Sequence, residues 1–174
     1  MSRPSNHRTR LPQRAAAWLA YSVGAVLFLA GTAARAAIDC AVATPGVAFG
    51  NYDASLPGPT DVSGNLTVTC TRVPFDPFNV SYTLSLSRGT SGAYAPRQMS
   101  SGPSRLNYNL YRDASRSQVW GDGTASTAII NATMSFNLFQ FSKSASHTAY
   151  GRIPTGQGVN PGNYADNVVV TITF

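Results

Sequence analysis

Few side chains in this 174-residue chain could do chemistry. His147 is the only histidine outside the N-terminal 37 residues, and it lies in the serine-rich stretch 142–150. That setting is typical of an exposed loop residue rather than of a general base. No serine occupies the G-x-S-x-G pattern of a nucleophile elbow, and no phosphate-binding loop or dinucleotide fingerprint is present. We therefore predict no enzymatic activity and no bound cofactor.

All seven acidic residues are aspartates, and three of them are candidates for acid–base catalysis of the glycosidase type, which uses a carboxylate pair. These three, Asp113, Asp122 and Asp166, are better explained as turn formers, since Asp122 for example is flanked by glycines. Asp53 and Asp61 lie in a loop that could hold calcium, but the closely spaced oxygen ligands of a calcium loop are missing. The sequence predicts no catalytic and no metal-binding residue.

Aromatic side chains offer a different kind of contact. The segment 73–78 (VPFDPF) places Phe75 and Phe78 among two prolines, which predicts a stiff loop between two strands. Its rings either tuck under the end of the fold or form an adhesive contact with a surface or a partner. Tyr94 is a weaker candidate of the same kind, and Trp120 is expected to lie in the core.

The N-terminus predicts export. Residues 1–14 carry four arginines and no acid, residues 15–30 are almost entirely apolar, and Ala34-Arg35-Ala36 is a small-x-small site. These are the three regions of a cleavable signal peptide, which we place at 1–36. An uncleaved membrane anchor is the alternative, because the apolar stretch approaches the roughly 20 residues that span a bilayer.

Cleavage after Ala36 removes five of the 13 basic residues and none of the seven acids, which lowers the net charge from +6 to +1. A basic surface for nucleic acid or anionic lipid is therefore not predicted, and neither is a membrane contact after cleavage. Both cysteines, Cys40 and Cys70, lie in the exported part, where a pair favours a disulfide. Closing a loop of about 30 residues would stabilise the fold by roughly 3–4 kcal/mol. A metal site using both cysteines is the alternative.

Alternating apolar and polar residues predict about seven short strands and no helix. The segments are 47–49, 65–71, 79–87, 106–111, 128–141, 149–153 and 164–174, separated by proline- and glycine-rich turns. The fold class is therefore all-β, a single two-sheet sandwich over 37–174, with a closed barrel as the alternative. The last strand carries Val168, Val170, Ile172 and Phe174 on one face. An apolar strand with an uncovered edge invites a partner strand; the alternative is that another part of the same chain covers that edge.

The exported part resembles the spore coat protein U domain family. The resemblance rests on Cys40, a Phe-Gly-x-Tyr step at 49–52, the run from Gly64 to Cys70, and a Tyr-x-Asp step at 164–166 before the alternating C-terminal run. It implies a secreted subunit of an archaic chaperone–usher pilus or a related coat, with a Cys40–Cys70 disulfide joining the first two strands. It also implies an immunoglobulin-like sandwich that lacks its last strand.

In such subunits a periplasmic chaperone first lends the missing strand, and the N-terminal extension of the next subunit later replaces it. The resemblance thus implies a periplasmic chaperone, an outer-membrane usher and other pilus subunits as partners, and it places the accepting groove along Val168, Val170, Ile172 and Phe174. Affinity in this mode comes from main-chain hydrogen bonds, and register comes from alternate side chains.

One feature departs from the family pattern. Only Ala37, Ile38 and Asp39 separate the predicted cleavage site from Cys40, a reach of about 10 Å, whereas a donor strand needs up to about ten residues. We therefore expect a subunit that accepts a strand and donates none, at a fibre tip or in a coat. Two rivals stay open: a stand-alone carbohydrate-binding module and, more distantly, a secreted hydrolase.

Overall fold

The computed structural model describes residues 38–174. The predicted signal peptide at 1–36, with its arginines, apolar stretch and cleavage site, lies outside the described residues. Eight strands are formed: β1 (Asp39–Ala43), β2 (Thr60–Thr71), β3 (Asn79–Leu86), β4 (Arg97–Ser101), β5 (Ser104–Tyr111), β6 (Ile130–Ser135), β7 (Ser142–Ile153) and β8 (Val170–Thr173). Within 38–174 no helix is long and apolar enough to span a bilayer.

The strands form two antiparallel sheets, in the orders β1-β2-β7-β5-β4 and β6-β3-β8. The predicted all-β sandwich is therefore confirmed. The strand assignment differs at several places. The alternating segments include neither β1, which only the family resemblance implies through Cys40, nor β4; residues 47–49 form no strand; and regular pairing near the C-terminus is confined to 170–173. The predicted strand 128–141 ends at Ser135, and β7 begins earlier than predicted, at Ser142.

The longest strand pairing in the larger sheet joins β2 and β7. All 12 residues of β2 pair in register with β7, from Thr60 opposite Ile153 to Thr71 opposite Ser142. Inward residues of both sheets close an apolar core that includes Val68, Leu84 and Trp120, each fully buried. The predicted disulfide is present: Cys40 and Cys70 are directly opposed in the β1–β2 register and their sulfurs are bonded.

His147 is not the exposed loop residue that the sequence predicts. It lies on β7 with its ring turned inward, and its Nε2 is 2.8 Å from the hydroxyl of Tyr82 on β3. The two rings meet edge to face with centroids 5.8 Å apart. The serines around His147 are typical of a loop, but here they occupy the outward positions of a strand, so the prediction is wrong. The pair connects the two sheets.

Asp166 fixes the segment that leads into β8. Its carboxylate accepts hydrogen bonds from the amide and hydroxyl of Thr90, each at 2.7 Å, and from the Tyr108 hydroxyl at 2.7 Å. Gly89 makes this approach feasible, because a Cβ there would overlap the carboxylate. Burial by itself raises the pKa of Asp166, but the hydrogen bonds from Thr90, Tyr108 and the Asn167 amide outweigh it, so the pKa lies below its ordinary value.

The His147–Tyr82 pair predicts a pH dependence of stability. Burial lowers the pKa of His147 below 6.5 in the folded protein, so the unfolded chain binds more protons just below that pH. The free energy of unfolding should be constant above about pH 6.5 and fall as the pH drops towards the folded-state pKa. Urea unfolding between pH 7.5 and pH 5 measures it. His147→Gln should flatten this dependence, and an unchanged slope in the variant would contradict the assignment.

Asp166→Asn should lower the free energy of unfolding by about 1–3 kcal/mol at pH 7, because a neutral amide replaces an acceptor of charge-assisted hydrogen bonds. Since the folded-state pKa is depressed, this stabilisation is present above the ordinary carboxyl pKa of about 3.9 and is lost as the pH falls below it. Asp53→Asn is the matched control, because Asp53 accepts only from Ser55 in an exposed turn. Equal effects of the two substitutions would refute the role of Asp166.

Candidate functional site

The segment 44–52 leaves β1 and crosses the inner face of the five-stranded sheet. Val47 lies on Gly64 of β2 and Phe49 lies on Gly151 of β7: a Cβ on either glycine would come within 2.7 Å of the overlying side chain. Only glycine at these two positions lets the segment lie so close to the sheet. The segment therefore contributes to the second layer of the sandwich, beside the three-stranded sheet.

Contacts of the Phe-Gly-x-Tyr step hold this segment in place. The ring of Phe49 packs edge to face against Tyr108, with centroids 5.7 Å apart. The Tyr52 hydroxyl accepts a hydrogen bond from the Gln157 amide at 2.8 Å and donates one to the Pro154 carbonyl at 3.2 Å. The aromatic residues of the motif thus fix one wall of the site.

The opposite wall is the segment 164–170. Ala165 and Ser100 of β4 exchange two backbone hydrogen bonds, at 2.9 and 3.2 Å. Val169 then bonds to Ser87, which directs the chain into the smaller sheet, where β8 pairs with β3. The wall passes from one sheet to the other and is held to both.

An open slot lies between the two walls, which we define as the space between segments 44–52 and 164–170. The cleft of about 340 Å³ lies between these two segments, and an adjoining cleft of about 520 Å³, which shares Val47, Phe49, Met99 and Tyr164 with it, extends along residues 159–164. Core side chains of the larger sheet form its floor; these are Leu66, Met99, Leu106, Tyr108, Leu110, Ala149 and Ile153. These floor residues are themselves almost fully buried, none being more than 8% exposed, so the open space of the slot lies above them and between its walls.

The backbone beside the slot has unused hydrogen-bonding capacity. β8 is the last strand of its sheet, and among residues 38–174 no strand pairs with its outer edge. β1 is likewise an edge strand of the larger sheet. An apolar floor beside a strand edge with free N–H and C=O groups suits an extended peptide, which satisfies those groups while its alternate side chains enter the clefts.

The four groove residues predicted from sequence occupy different places. Val168 and Val170 line the slot. Ile172 packs against the core but lines neither cleft. Phe174 is half exposed and lines a separate surface depression with Thr83 and Thr133. Sequence reasoning missed the whole 44–52 wall, although Gly64 and Gly151 within alternating strands are signals of close backbone approach.

The two phenylalanine rings of the predicted aromatic loop differ in exposure. Phe75 is fully exposed, and Phe78 is half exposed with its ring 4.5 Å from the buried guanidinium of Arg72. Trp120 is in the core, as predicted. The expectation for Tyr94 is wrong: the ring is 4% exposed, because its hydroxyl donates to the Leu86 carbonyl and the ring packs against Arg97.

The carboxylates considered for catalysis or calcium are occupied by local hydrogen bonds. Burial raises the pKa of Asp113, but hydrogen bonds from Ser115, Ser117 and Gln118 outweigh it and leave the pKa below its ordinary value. The hydroxyl and amide of Thr124 lower the pKa of Asp122 to about 2. Asp53 caps a turn, whereas Asp61 pairs with Arg152 at 2.7 Å. In the described range 38–174, no three metal-ligating side chains converge.

Comparison with known proteins gives a family match, a relative in sequence and a structural neighbour. The model of the Spore Coat Protein U domain matches residues 26–171. Protein U of Myxococcus xanthus is 31% identical over 133 residues, which are 72% of this chain and 70% of that protein.

The structural neighbour is the crystal structure of the CsuC–CsuE chaperone–tip adhesion subunit pre-assembly complex, from the archaic chaperone–usher Csu pili of Acinetobacter baumannii. It has a TM-score of 0.46 and 20% identity, and the match covers 79% of this chain but only 40% of that one. The family match and the sequence identity carry the assignment. This chain belongs to the spore coat protein U domain family.

Proposed function

We propose that this protein is an exported structural subunit of a chaperone–usher surface fibre or coat, and that it completes its fold by accepting a β-strand from a partner. The observation that carries the proposal is the slot between 44–52 and 164–170, where an open cleft lies above core side chains and reaches Val170 at the start of the edge strand β8. Membership in the family supports it.

The physical reason is the cost of leaving the slot empty. A free strand edge makes an isolated β-protein prone to aggregation. A strand in the slot would remove this hazard, because its backbone would pair with the edge and its alternate side chains would fill the clefts above the floor. In the cell, a periplasmic chaperone would supply this strand first, an outer-membrane usher would receive the complex, and another subunit would supply the final strand.

A donor peptide tests this function. A peptide of about ten residues with apolar side chains at alternate positions should form a 1:1 complex and raise the thermal midpoint by about 5–10 °C at a hundredfold excess over Kd. Val168→Asp should abolish the rise, because Val168 lines the slot. Val169→Asp is the matched control: the Val169 side chain is 57% exposed, and only its backbone bonds to Ser87.

Two results would contradict strand acceptance. The first is a protein whose thermal midpoint does not respond to any donor peptide or to co-expression with a chaperone. The second is equal loss of peptide binding in the Val168 and Val169 variants. Glycan binding by the lone protein would favour the carbohydrate-binding alternative, although burial of Tyr94 and Trp120 removes two of the aromatic rings on which that alternative would rely.

We place this subunit at the distal tip of the fibre, or in a non-polymerising coat, because only three residues separate the predicted cleavage site from Cys40. A stub of that length cannot span a neighbour's slot. Its role would then be adhesion or biofilm formation, with Phe75 and Phe78 as contact residues, since Phe75 is fully exposed.

The N-terminus of the exported protein tests the tip position. Mass spectrometry of protein recovered from the periplasm should give Ala37 as the first residue, and the purified protein should remain unable to form fibres by itself at any concentration. Cleavage well upstream of Ala36, together with self-assembly into fibres whose N-terminus resists protease, would show that the chain donates a strand.

A further inference from the structure

The cleft that adjoins the slot is enclosed by other parts of the chain. It has a volume of about 520 Å³ and is lined by the segments 47–54 and 159–164. Its floor consists of Met99, Leu106 and Ile153, which are buried side chains of the larger sheet. The volume lies within the range of about 300–1,000 Å³ that is typical of small-molecule sites. We call this space the outer cleft.

The outer cleft differs from the slot in the backbone that borders it. None of its lining residues belongs to β1 or β8, the edge strands beside the slot. β4 contributes Met99 to the floor, but its neighbouring residue Ser100 already exchanges two backbone hydrogen bonds with Ala165. An extended peptide is held by main-chain pairing with a strand edge. The outer cleft offers no such edge, so it suits a compact ligand better than a strand.

The lining of the outer cleft is polar but uncharged. None of the lining residues is Asp, Glu, Lys, Arg or His. The polar side chains are those of Asn51, Asn160 and Asn163, together with the hydroxyls of Tyr52 and Tyr164. A ligand with a carboxylate or phosphate group would lose hydration there without gaining a cation. The chemistry of the lining therefore favours a neutral polar ligand.

Hydrogen bonds hold one wall of the outer cleft, the loop 154–164, against β5. The side chain of Gln157 accepts from the Asn107 amide at 2.7 Å and donates to the Asn107 carbonyl at 2.9 Å. Further along the loop, the side-chain amide of Asn160 donates to Ser104 Oγ at 3.2 Å. A wall fixed in this way needs little ordering when a ligand binds.

The two tyrosines of the outer cleft are also fixed by their hydroxyls. Tyr52 bonds to the backbone of Pro154 and Gln157, and the Tyr164 hydroxyl donates to the Asn160 carbonyl at 2.7 Å. Each hydroxyl is thus occupied within the protein. The rings, which are half-buried, contribute rigid apolar surface to the lining.

Asn51 and Asn163 supply the polar groups that the fold does not use. Both residues are exposed, and they come from the two different segments that line the outer cleft. Within residues 38–174 neither side-chain amide takes part in a hydrogen bond. A carboxamide carries two N–H donors and an oxygen acceptor. Two such groups match a ligand whose hydroxyl groups both donate and accept.

We propose that the outer cleft binds the terminal sugar of a neutral glycan, with Asn51 and Asn163 bonding to its hydroxyl groups and Tyr52 and Tyr164 contacting its C–H face. A sugar ring is apolar on that face and polar around its edge, which is the combination that this lining complements. The proposal goes beyond strand acceptance and does not rest on it, because the slot and the outer cleft take different ligands.

Titration with simple glycosides tests the proposal. The full exported protein is titrated with the methyl glycosides of glucose, galactose, mannose and N-acetylglucosamine, and with the methyl glycoside of glucuronic acid as the charged counterpart. Isothermal titration calorimetry measures Kd. At least one neutral glycoside should bind, and the glucuronide should bind more weakly than that glycoside, because the outer cleft has no cation to pair with its carboxylate.

A pair of asparagine variants locates the binding site. Asn163→Ala should raise Kd for the bound glycoside about tenfold, the effect expected from losing one or two hydrogen bonds. Asn79→Ala is the matched control and should leave Kd unchanged, because Asn79 is an exposed asparagine of β3 that does not line the outer cleft. Circular dichroism of each variant establishes that it is folded.

The donor peptide separates the outer cleft from the slot. Protein saturated with the peptide should still bind the glycoside, and Val168→Asp should leave glycoside binding unchanged, since Val168 does not line the outer cleft. Glycoside binding by a protein that takes no donor peptide would support this proposal and contradict strand acceptance. Glycoside binding together with peptide binding would place both functions in one subunit.

Three results would overturn the proposal. In the first, no neutral glycoside of the panel binds. In the second, Asn163→Ala and Asn79→Ala change Kd by the same factor, which would place the sugar elsewhere. In the third, the donor peptide displaces the glycoside, and the outer cleft is then the end of the strand-binding groove.

Discussion

The structure depends on unequal coverage of one apolar face. The five-stranded sheet presents a broad inner surface, and the opposing layer consists of three strands and the crossing segment 44–52. Burial of apolar area is the main favourable contribution to folding, and the crossing segment supplies part of it by placing Val47 and Phe49 on Gly64 and Gly151. An open slot is left between 44–52 and 164–170, above floor residues that are at most 8% exposed.

Polar contacts, rather than packing alone, keep the slot open and shaped. Asp166 holds one wall through Thr90 and Tyr108, and Tyr52 holds the other through the 154–157 loop. Such hydrogen bonds have directional geometry, so the walls need not close over the floor to be stable. A preformed slot would reduce the ordering needed on binding of the proposed partner strand.

Two buried arginines, Arg97 and Arg72, each hold separate segments of the chain together. Arg97, fully buried, donates to the carbonyls of Ser87 and Trp120 and to the side chain of Asn109. Arg72 donates to four carbonyls of the loops 72–78 and 136–141. Both guanidiniums are held mainly by backbone oxygens and not by a carboxylate, so each joins segments that are separate in sequence.

The sequence by itself determined the sheet class, the disulfide, the core position of Trp120 and the inward side of the C-terminal segment at Val168 and Val170, because alternation and cysteine pairing are local or nearly local signals. Tertiary structure alone decided the rest. The 44–52 wall has no regular pairing, so its place depends on Gly64 and Gly151 in distant strands. His147 became a contact between sheets because Tyr82 lies opposite it. The loops 72–78 and 136–141 are separated by more than 50 residues, and Arg72 joins them by donating to carbonyls of both. No local sequence pattern predicts such a contact.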